Sequence, residues 1–460
     1  MNENPWDALD GIEAAGEQRG WLSKTLARNR GAAYLKRFGA PRTLAAFRRD
    51  VPVVSYDDLL PWLERMKAGE SDLLFAGRPV AYERTGGSAG GVKLIPYSRA
   101  GLLDFQRDVA PWLARTARRY RLAGRAYFSI SPASRPPESI GGVPLGLPDT
   151  AYLGERAGRV LAACTAVPLE IGAIADLAKW RRQTLAHLKA ANDLELISVW
   201  SPTFLLRLLE EIPDPQACWP RLKVVSCWAS GTARRFADEL RERLPRADLQ
   251  AKGLMSTEAV VSVPGDDGKA LPARHVFVEY AGEGRLFLEE ELRPGDEYEA
   301  VVTTASGLYR YRTGDRVRCE GRDREGRAIL EFIGRDGLTC DLVGEKLTEA
   351  FVSRCLRSIP GFSMLLPDLA RPGYALIHRG TGIAGGPPAR AVEEALCANP
   401  QYAYARRLGQ LAPLRAVAHP DPFALVERRM LERGARLGDV KPLALRREAF
   451  WLPLFESARR

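Results

Sequence analysis

The chain has 460 residues, with 67 lysines and arginines against 57 aspartates and glutamates, which gives a formal charge of +10. A hydrophobic fraction of 46% with 27% charged residues is typical of a folded globular protein and excludes a wholly disordered or collagen-like chain. The seven cysteines form no Cys-x-x-Cys pair and the four histidines stand singly, so we expect neither a disulfide framework nor a structural zinc site.

The termini and the charge pattern bear on location and partners. The N-terminal segment is acidic and lacks the apolar stretch of a signal peptide, and no window reaches the roughly 18 consecutive apolar residues of a spanning helix. We therefore expect a cytoplasmic protein without a membrane segment. Because the arginines are interspersed with acids, as between Gly321 and Arg327, the positive charge favours a solvated surface over a nucleic-acid site.

The first 260 residues alternate two kinds of pattern. Residues 1–80 are predicted to form a helical lead-in of helical segments separated by proline-marked turns, with apolar residues at near-helical spacing over 20–38. Between about 95 and 260, short apolar runs alternate with amphipathic stretches. The predicted strands cover 126–130, 194–200 and 223–228, and the predicted helices cover 176–191, 203–211 and 232–244. This alternation predicts an α/β fold, with a parallel sheet covered by helices.

The pattern changes after about residue 272. Short strands separated by glycine and aspartate turns are predicted over 275–280, 285–290, 297–304 and 329–333. They predict a small antiparallel β-unit. Placing the boundary at Asp336 gives a large N-terminal α/β domain with a β-rich subdomain, residues 1–335, and a smaller, mobile α+β C-terminal domain, residues 336–460.

A glycine-rich segment from Arg84 to Lys93 is the sharpest local feature, because it combines four glycines with two hydroxyl residues and ends in a lysine. Converging backbone N–H groups, hydroxyls and an ammonium suit a phosphate. The segment is not a Walker A loop, because Leu94 stands where that motif needs Ser or Thr. Taken alone, it is as well explained by an ordinary surface turn.

Three later segments add chemistry in a fixed order. Gly253–Glu258 places two hydroxyls and a carboxylate at the expected end of a strand, and Tyr309–Asp315 places an aspartate after a glycine turn. Gly438–Pro442 places Lys441 in a turn. Each is unremarkable by itself: an acid near a helix start, a turn aspartate and a surface lysine.

Together these segments resemble the adenylate-forming enzymes, and among them the acyl-acid amido synthetases of the Gretchen Hagen 3 type, the auxin-conjugating family. The resemblance extends from about residue 80 to 445. The family's phosphate loop is matched at Thr85, Gly86, Ser88, Gly90 and Lys93, whereas Arg84 and Gly87 replace hydroxyl residues. Its Tyr-x-x-Ser-Glu segment corresponds to Leu254–Glu258, with Leu for Tyr and Thr for Ser. Tyr311–Asp315 matches Tyr-Arg-x-Gly-Asp in full, and Phe332–Arg335 followed by Gly344–Glu349 is similar to the hinge.

The resemblance implies that a carboxylate attacks the α-phosphorus of ATP to form an acyl-adenylate and pyrophosphate. It implies that Thr85, Ser88 and Lys93 hold the β- and γ-phosphates, that Glu258 binds Mg²⁺, and that Asp315 accepts the ribose hydroxyls. Lys346 and Lys441 would act at the α-phosphate once the small domain closes. The remaining nucleotide-binding residues it implies are Gly86, Ser230, Gly231, Met255, Ser256, Thr257 and Arg335.

In the implied second step, an amine, usually of an amino acid, attacks the acyl-adenylate and releases AMP. Trp200 and Trp228 are candidate walls of the acyl pocket, with core packing as the alternative, and Arg115 is a candidate partner for a carboxylate, with solvation as the alternative. An alternative enzyme delivers the acyl group to coenzyme A or a carrier-protein thiol, and the basic run 115–121 would suit an acidic carrier. A nucleic-acid binder is the remaining alternative, but the sequence has no recognition motif for that role.

Overall fold

A computed structural model describes residues 4–12, 16–85, 93–129, 138–147, 149–335, 339–380 and 387–457. Its helices are α1 (Gln18–Asn29), α2 (Ala33–Arg37), α3 (Leu44–Asp50), α4 (Tyr56–Lys67), α5 (Arg99–Tyr120), α6 (Gly154–Cys164), α7 (Leu177–Lys189), α8 (Pro202–Leu209), α9 (Pro215–Cys218), α10 (Arg234–Arg243), α11 (Glu349–Cys355), α12 (Pro387–Leu396), α13 (Pro400–Arg407), α14 (Pro422–Glu432) and α15 (Trp451–Ser457). Within the described ranges, no helix combines the length and the apolarity needed to cross a bilayer.

The strands form several small sheets. They are β1 (Ala81–Arg84), β2 (Leu94–Tyr97), β3 (Arg125–Phe128), β4 (Glu138–Ile140), β5 (Val143–Leu145), β6 (Leu194–Ser198), β7 (Val224–Cys227), β8 (Asp248–Ala251), β9 (Ser262–Pro264), β10 (Ala270–Pro272), β11 (Phe277–Gly282), β12 (Arg285–Phe287), β13 (Glu297–Thr303), β14 (Tyr311–Arg322), β15 (Ala328–Arg335), β16 (Thr339–Cys340), β17 (Leu347–Thr348), β18 (Ser363–Asp368), β19 (Gly373–Arg379) and β20 (Arg415–His419).

The predicted parallel sheet is confirmed. Its strand order is β3-β6-β7-β8, and each neighbouring pair is parallel. The apolar runs are buried on both faces, and helices α7, α8 and α10 contribute to the same hydrophobic cluster. The strands therefore end at one common edge, and the segments 228–231 and 252–258 leave the sheet from that edge.

The predicted helical lead-in consists of the helices α1 to α4. The near-helical spacing over 20–38 covers two of them, α1 and α2, because the chain turns at Arg30–Gly31, where the N–H of Ala32 donates to the carbonyl oxygen of Asn29. Glycine is a poor helix former, which agrees with a break at this point.

The antiparallel unit has five strands in the order β12-β11-β13-β14-β15. Its longest strand, β14, was missed in the sequence, and the placement of Asp315 after a glycine turn was wrong. Asp315 lies inside β14, where it pairs in register with Arg335, and Gly314 (φ +77°) sits near a register shift of that strand. The run resembled a loop because it contains Gly314 and several charged arginines. Arg312 and Arg318 pair with Glu299 and Glu297 of the adjacent strand.

The C-terminal segment packs directly on the parallel-sheet region. Its own sheet has the order β18-β19-β20. Phe362 stacks on Phe236 of α10, with ring centroids 6.4 Å apart, and Arg235 donates to Ser363 Oγ at 2.8 Å. One hydrophobic cluster contains buried side chains of both regions. The boundary at Asp336 falls in 336–338, outside the described residues, so the two-domain division stays a prediction.

Candidate active site

The glycine-rich segment connects two antiparallel strands. β1 and β2 form a hairpin, and the N–H of Thr85 donates to the carbonyl oxygen of Lys93 at 2.9 Å, which continues the ladder by one step. The Lys93 Nζ lies 5.2 Å from the centre of the Tyr56 ring. Tyr56 is a neighbour that the sequence analysis missed. The predicted phosphate contacts of Gly86 and Ser88 lie outside the described residues.

The loop that contains the 253–258 motif follows β8, the last strand of the parallel sheet, and turns tightly. The N–H of Val261 donates to the carbonyl of Leu254, and that of Ser256 to the carbonyl of Ala259. The Tyr97 hydroxyl donates to the carbonyl oxygen of Thr257 at 2.7 Å, which ties the loop to β2. Met255 is buried in a bridge with Val260. The loop is thus fixed beside the hairpin of β1 and β2, called the phosphate hairpin below after its predicted ligand.

Glu258 is the carboxylate at the tip of this loop. Its side chain is buried, and its Oε1 accepts no hydrogen bond from any residue that the structure describes. The nearest cation is Arg335, whose Nη2 lies 3.7 Å from that oxygen. A buried carboxylate oxygen without a donor is costly, so this oxygen is suited to a cationic ligand.

Arg335 links two buried carboxylates. Its Nη2 donates to the carbonyl oxygen of Thr313 at 2.8 Å, and its Nε lies 3.7 Å from Asp315 Oδ1. Burial raises the pKa of Asp315, while Arg335 and Lys441 act in the opposite direction. Burial, followed by repulsion from Arg335, lowers the pKa of Lys93. Lys93, Glu258 and Asp315, one residue from each of the three sequence motifs, therefore meet around Arg335 in one charged cluster.

Lys441 comes to this group from the C-terminal segment. Its Nζ lies 5.5 Å from the centre of the Trp228 ring. The backbone around it is pinned, because the N–H of Ala444 donates to Glu349 Oε1 at 2.9 Å and its carbonyl accepts from the N–H of Leu365 at 2.7 Å. Lys441 thus lies near Trp228 and acts on Asp315 in this arrangement, while its role at the α-phosphate stays a prediction.

Lys346 does not lie in the cluster of charged residues around Arg335. It is exposed in the turn between β16 and β17, with a left-handed backbone (φ +46°). The charges that act most strongly on Asp315 include Arg335 and Lys441. Of the two lysines predicted to act at the α-phosphate, Lys441 lies near Asp315 in this structure and Lys346 is exposed elsewhere.

Ser230 and Gly231 follow β7 at the sheet edge. They begin a 3₁₀ turn over Gly231–Ala233. Gly231 has φ +57°, and a Cβ at this position would lie 3.2 Å from the Phe332 ring. Glycine is thus needed for both backbone conformation and space. The turn lies against β15 just before Arg335, which places it beside the charged group.

The candidate acyl-pocket residues separate into two places. Trp200 and Trp228 are partly exposed, their ring centroids are 6.1 Å apart, and the N–H of Trp228 donates to the carbonyl oxygen of Trp200. Arg115 is elsewhere: it donates to the carbonyl oxygen of Pro264 at 3.1 Å and lies 4.0 Å from Asp266. Because its guanidinium is held there, the suggested pairing of Arg115 with a substrate carboxylate is not supported.

Comparison with known families agrees with this combination of motifs and geometry. The GH3 family N-terminal domain matches residues 12–216, and the GH3 family central domain matches residues 275–335. The chain belongs to the GH3 family. This confirms the resemblance to the acyl-acid amido synthetases within the adenylate-forming enzymes.

Relatives of this GH3 chain extend along most of its length. A probable indole-3-acetic acid-amido synthetase GH3.1 of Oryza sativa subsp. japonica is 24% identical over 79% of this chain and 74% of its own length. The indole-3-acetic acid-amido synthetase GH3.10 of Arabidopsis thaliana is 24% identical over 84% of this chain and 80% of its own length.

Solved structures confirm the predicted fold class. The AtGH3.15 acyl acid amido synthetase in complex with 2,4-DB has a TM-score of 0.82 at 18% identity, covering 96% of this chain and 93% of that chain. The 2-hydroxyisobutyryl-CoA ligase in its postadenylation state with 2-HIB-AMP has a TM-score of 0.60 at 14% identity, covering 98% of this chain and 94% of that chain. This GH3 protein therefore has the adenylate-forming fold.

Proposed function

We propose that this GH3 protein adenylates a small carboxylic acid with ATP and then transfers the acyl group to the amine of an amino acid, releasing AMP and pyrophosphate. The observation that carries the proposal is the group of Lys93, Glu258, Asp315 and Arg335, buried or partly buried, with Lys441 close by at the carboxyl edge of the parallel sheet. A carboxylate is a poor electrophile, and adenylation gives it a good leaving group.

The nucleotide is the ligand to which this group is best suited. Asp315, buried and acceptor-only when ionised, would accept the ribose hydroxyls, and the Ser230–Gly231 turn would line the adenine. Thr85, Gly86, Ser88 and Lys93 would hold the β- and γ-phosphates at the hairpin. Met255, Ser256, Thr257 and Arg335 complete the nucleotide side of the site. Crevices at the carboxyl ends of parallel strands are the usual ligand position in open α/β sheets.

Mg²⁺ fits the same group. Glu258 would hold it through the buried oxygen that has no donor. Because the described residues contain no cluster of three or more carboxylate, thiol or imidazole groups, the other ligands would be phosphate oxygens and water. When bound, the ion neutralises charge on the phosphates, which is the main requirement of phosphoryl chemistry.

Lys441 would stabilise the negative charge that develops as the substrate carboxylate attacks the α-phosphorus. Its ammonium already acts electrostatically on buried Asp315. Lys346, exposed in this arrangement, would reach the site only if residues 336–460 reorient about Asp336 as a separate domain. On that condition it would act at the α-phosphate together with Lys441.

The acyl substrate would lie against Trp200 and Trp228, whose partly exposed rings are next to Lys441. This wall suits an aryl or indolyl acid, and the relatives named above are indole-3-acetic acid-amido synthetases. The proposed partners are small molecules, and neither a nucleic acid nor a membrane is among them. The seven cysteines are unpaired, which agrees with action in the reducing cytoplasm.

Exchange of labelled pyrophosphate into ATP tests the first step. The purified protein would be screened with aryl, indolyl, jasmonate-like and fatty acids, each with Mg²⁺ and each against a no-acid control. We expect acid-dependent exchange with at least one class and its loss in Asp315→Asn. Absence of exchange with every acid would refute the proposal.

A further inference from the structure

Lys252 is a buried lysine that the proposed mechanism does not use. It follows β8 directly and its residue is only 3% exposed. Its Nζ donates to Ser198 Oγ at 2.7 Å and lies 4.5 Å from the centre of the Trp112 ring and 5.1 Å from that of Trp200. The lysine therefore sits inside the carboxyl edge of the parallel sheet, next to the acyl-pocket wall.

The ammonium has no carboxylate counter-ion among the residues that the structure describes; its polar partner there is a neutral hydroxyl. Burial lowers the pKa of Lys252 to about 7, and the Cys227 thiol acts in the opposite direction. Aromatic faces and one hydroxyl offset only part of the cost of burying a cation. An anionic ligand would supply the negative counter-charge.

The neighbours of Lys252 connect it to the reacting centre. Lys252 lies over Trp200, Trp200 contacts Trp228, and Trp228 lies under Lys441. Each of the two tryptophan rings thus has one lysine over it, Lys252 at Trp200 and Lys441 at Trp228. An acid that binds along both rings would have both ammonium groups within its reach, one for each end.

We propose that Lys252 is a specificity-determining residue that binds a second anionic group at the distal end of the acid, so that the preferred substrates are dicarboxylic acids. The proposal rests on the function proposed above. The competing explanation is that Lys252 only supports the packing of Trp112 and Trp200, and the experiment separates the two.

Pyrophosphate exchange with matched acids provides the test: phenylacetate against 4-carboxyphenylacetate, and hexanoate against adipate. A charged hydrogen bond contributes about 1.5–3 kcal/mol, or roughly 10- to 100-fold. We therefore expect the wild-type kcat/KM to be at least about 10-fold higher for the diacid in at least one pair. Lys252→Met should abolish that preference while keeping the monoacid rate within about threefold, and Lys252→Arg should retain part of it. Lys189→Met, at an exposed lysine of α7, is the control and should behave as wild type.

Other outcomes overturn the proposal. If the wild type favours the monoacid in both pairs, Lys252 does not bind a second anion, whatever the variants do. If Lys252→Met lowers both members of a pair equally, or fails to fold while Lys252→Arg shows no diacid preference, the lysine is a packing element. Exchange with monoacids alone would leave the adenylation function standing and refute only this inference, whereas no exchange with any acid would refute both.

Discussion

Lys441 is the residue on which the proposed adenylation step depends most. Its ammonium lies over Trp228 and acts on Asp315, but it belongs to the C-terminal segment rather than to the phosphate hairpin. Removing one preorganised charge from a developing oxyanion costs about 10²- to 10³-fold in rate. We expect Lys441→Ala to slow adenylation by that amount in stopped-flow measurements while ATP affinity changes less than about threefold.

A matched variant separates this effect from a general loss of positive charge. Lys189→Ala removes an exposed lysine from α7 and should leave both adenylation and ATP affinity unchanged. Equal losses of adenylation rate and ATP affinity in Lys441→Ala would show that Lys441 binds the ground state and does not act on the reaction.

Glu258 tests the metal side of the site. Glu258→Gln keeps the shape of the side chain and removes the charge from a buried oxygen that has no donor in the described structure. We expect the Mg²⁺ concentration for half-maximal exchange to rise by at least about 10-fold, because a neutral amide is a weak ligand for a hard cation. Thermal stability should change little, because the lost attraction to Arg335 is offset by the lower cost of burying a neutral amide. Lost activity with an unchanged Mg²⁺ dependence would contradict the assignment.

Helix α11 begins with an acid that links stability to pH. Glu349 is buried, accepts from the N–H of Ala444, and burial raises its pKa from 4.5 to about 7, against the effects of Arg235 and Lys441. Because the folded pKa lies above the unfolded one, its stabilising contribution is complete below pH 4.5 and is lost as the pH rises through about 7.

We expect Glu349→Gln to flatten the dependence of the free energy of unfolding on pH between 5 and 8. The variant should be more stable than wild type at pH 8, by about 1–3 kcal/mol, because the amide keeps the hydrogen bond without the buried charge. Urea unfolding at both pH values measures this. The difference between the two proteins is the quantity to compare, since burial also raises the pKa of Glu427 to about 7. Parallel pH curves would exclude Glu349 as the source.

At the level of elements, the helices and strands that could be predicted from the sequence are those with a regular apolar pattern. The runs that became β6 and β7 are short and rich in apolar residues and alternate with amphipathic helical stretches, so a parallel sheet could be predicted. β14 was not, because its arginines are exposed and paired across the sheet with glutamates distant in sequence. Its alternation of buried and exposed residues was the signal that would have identified it.

The site was predictable to the extent that its motifs are local. Each motif could be found alone, and their family resemblance gave the order. The sequence could not predict two tertiary contacts: the position of Lys441 over Trp228, and the hydrogen bond from Arg115 to the carbonyl oxygen of Pro264. Lys252 had one local signal, a charged residue shortly before the 253–258 motif, at the expected end of a strand where ligands bind.

On the scale of the whole molecule, the two predicted domains share apolar packing. Phe362 is buried against Phe236 and Phe423, whose centroids lie 6.4 and 5.1 Å away. Arg436 of the C-terminal segment also donates to the carbonyl oxygen of Leu147, near the phosphate hairpin. Any reorientation about Asp336 must therefore expose apolar surface, unless much of this interface moves as a unit.

This packing predicts that the two regions unfold together. We expect a single calorimetric transition for the wild type, and Phe362→Ala should lower its midpoint by removing about 3–5 kcal/mol of stability without splitting the transition. Two resolved transitions in the wild type, or an effect of the variant on only one of them, would show that the C-terminal segment is an independent folding unit.

The acceptor of the acyl group distinguishes an amido synthetase from an acyl ligase. The protein would be incubated with ATP, Mg²⁺ and one acid active in exchange, and offered an amino-acid mixture, coenzyme A, or both. We expect amide and AMP in equal amounts with amino acids, and no thioester when both acceptors are present. Thioester formation from coenzyme A without amide formation would contradict it and would assign the chain to the acyl ligases instead.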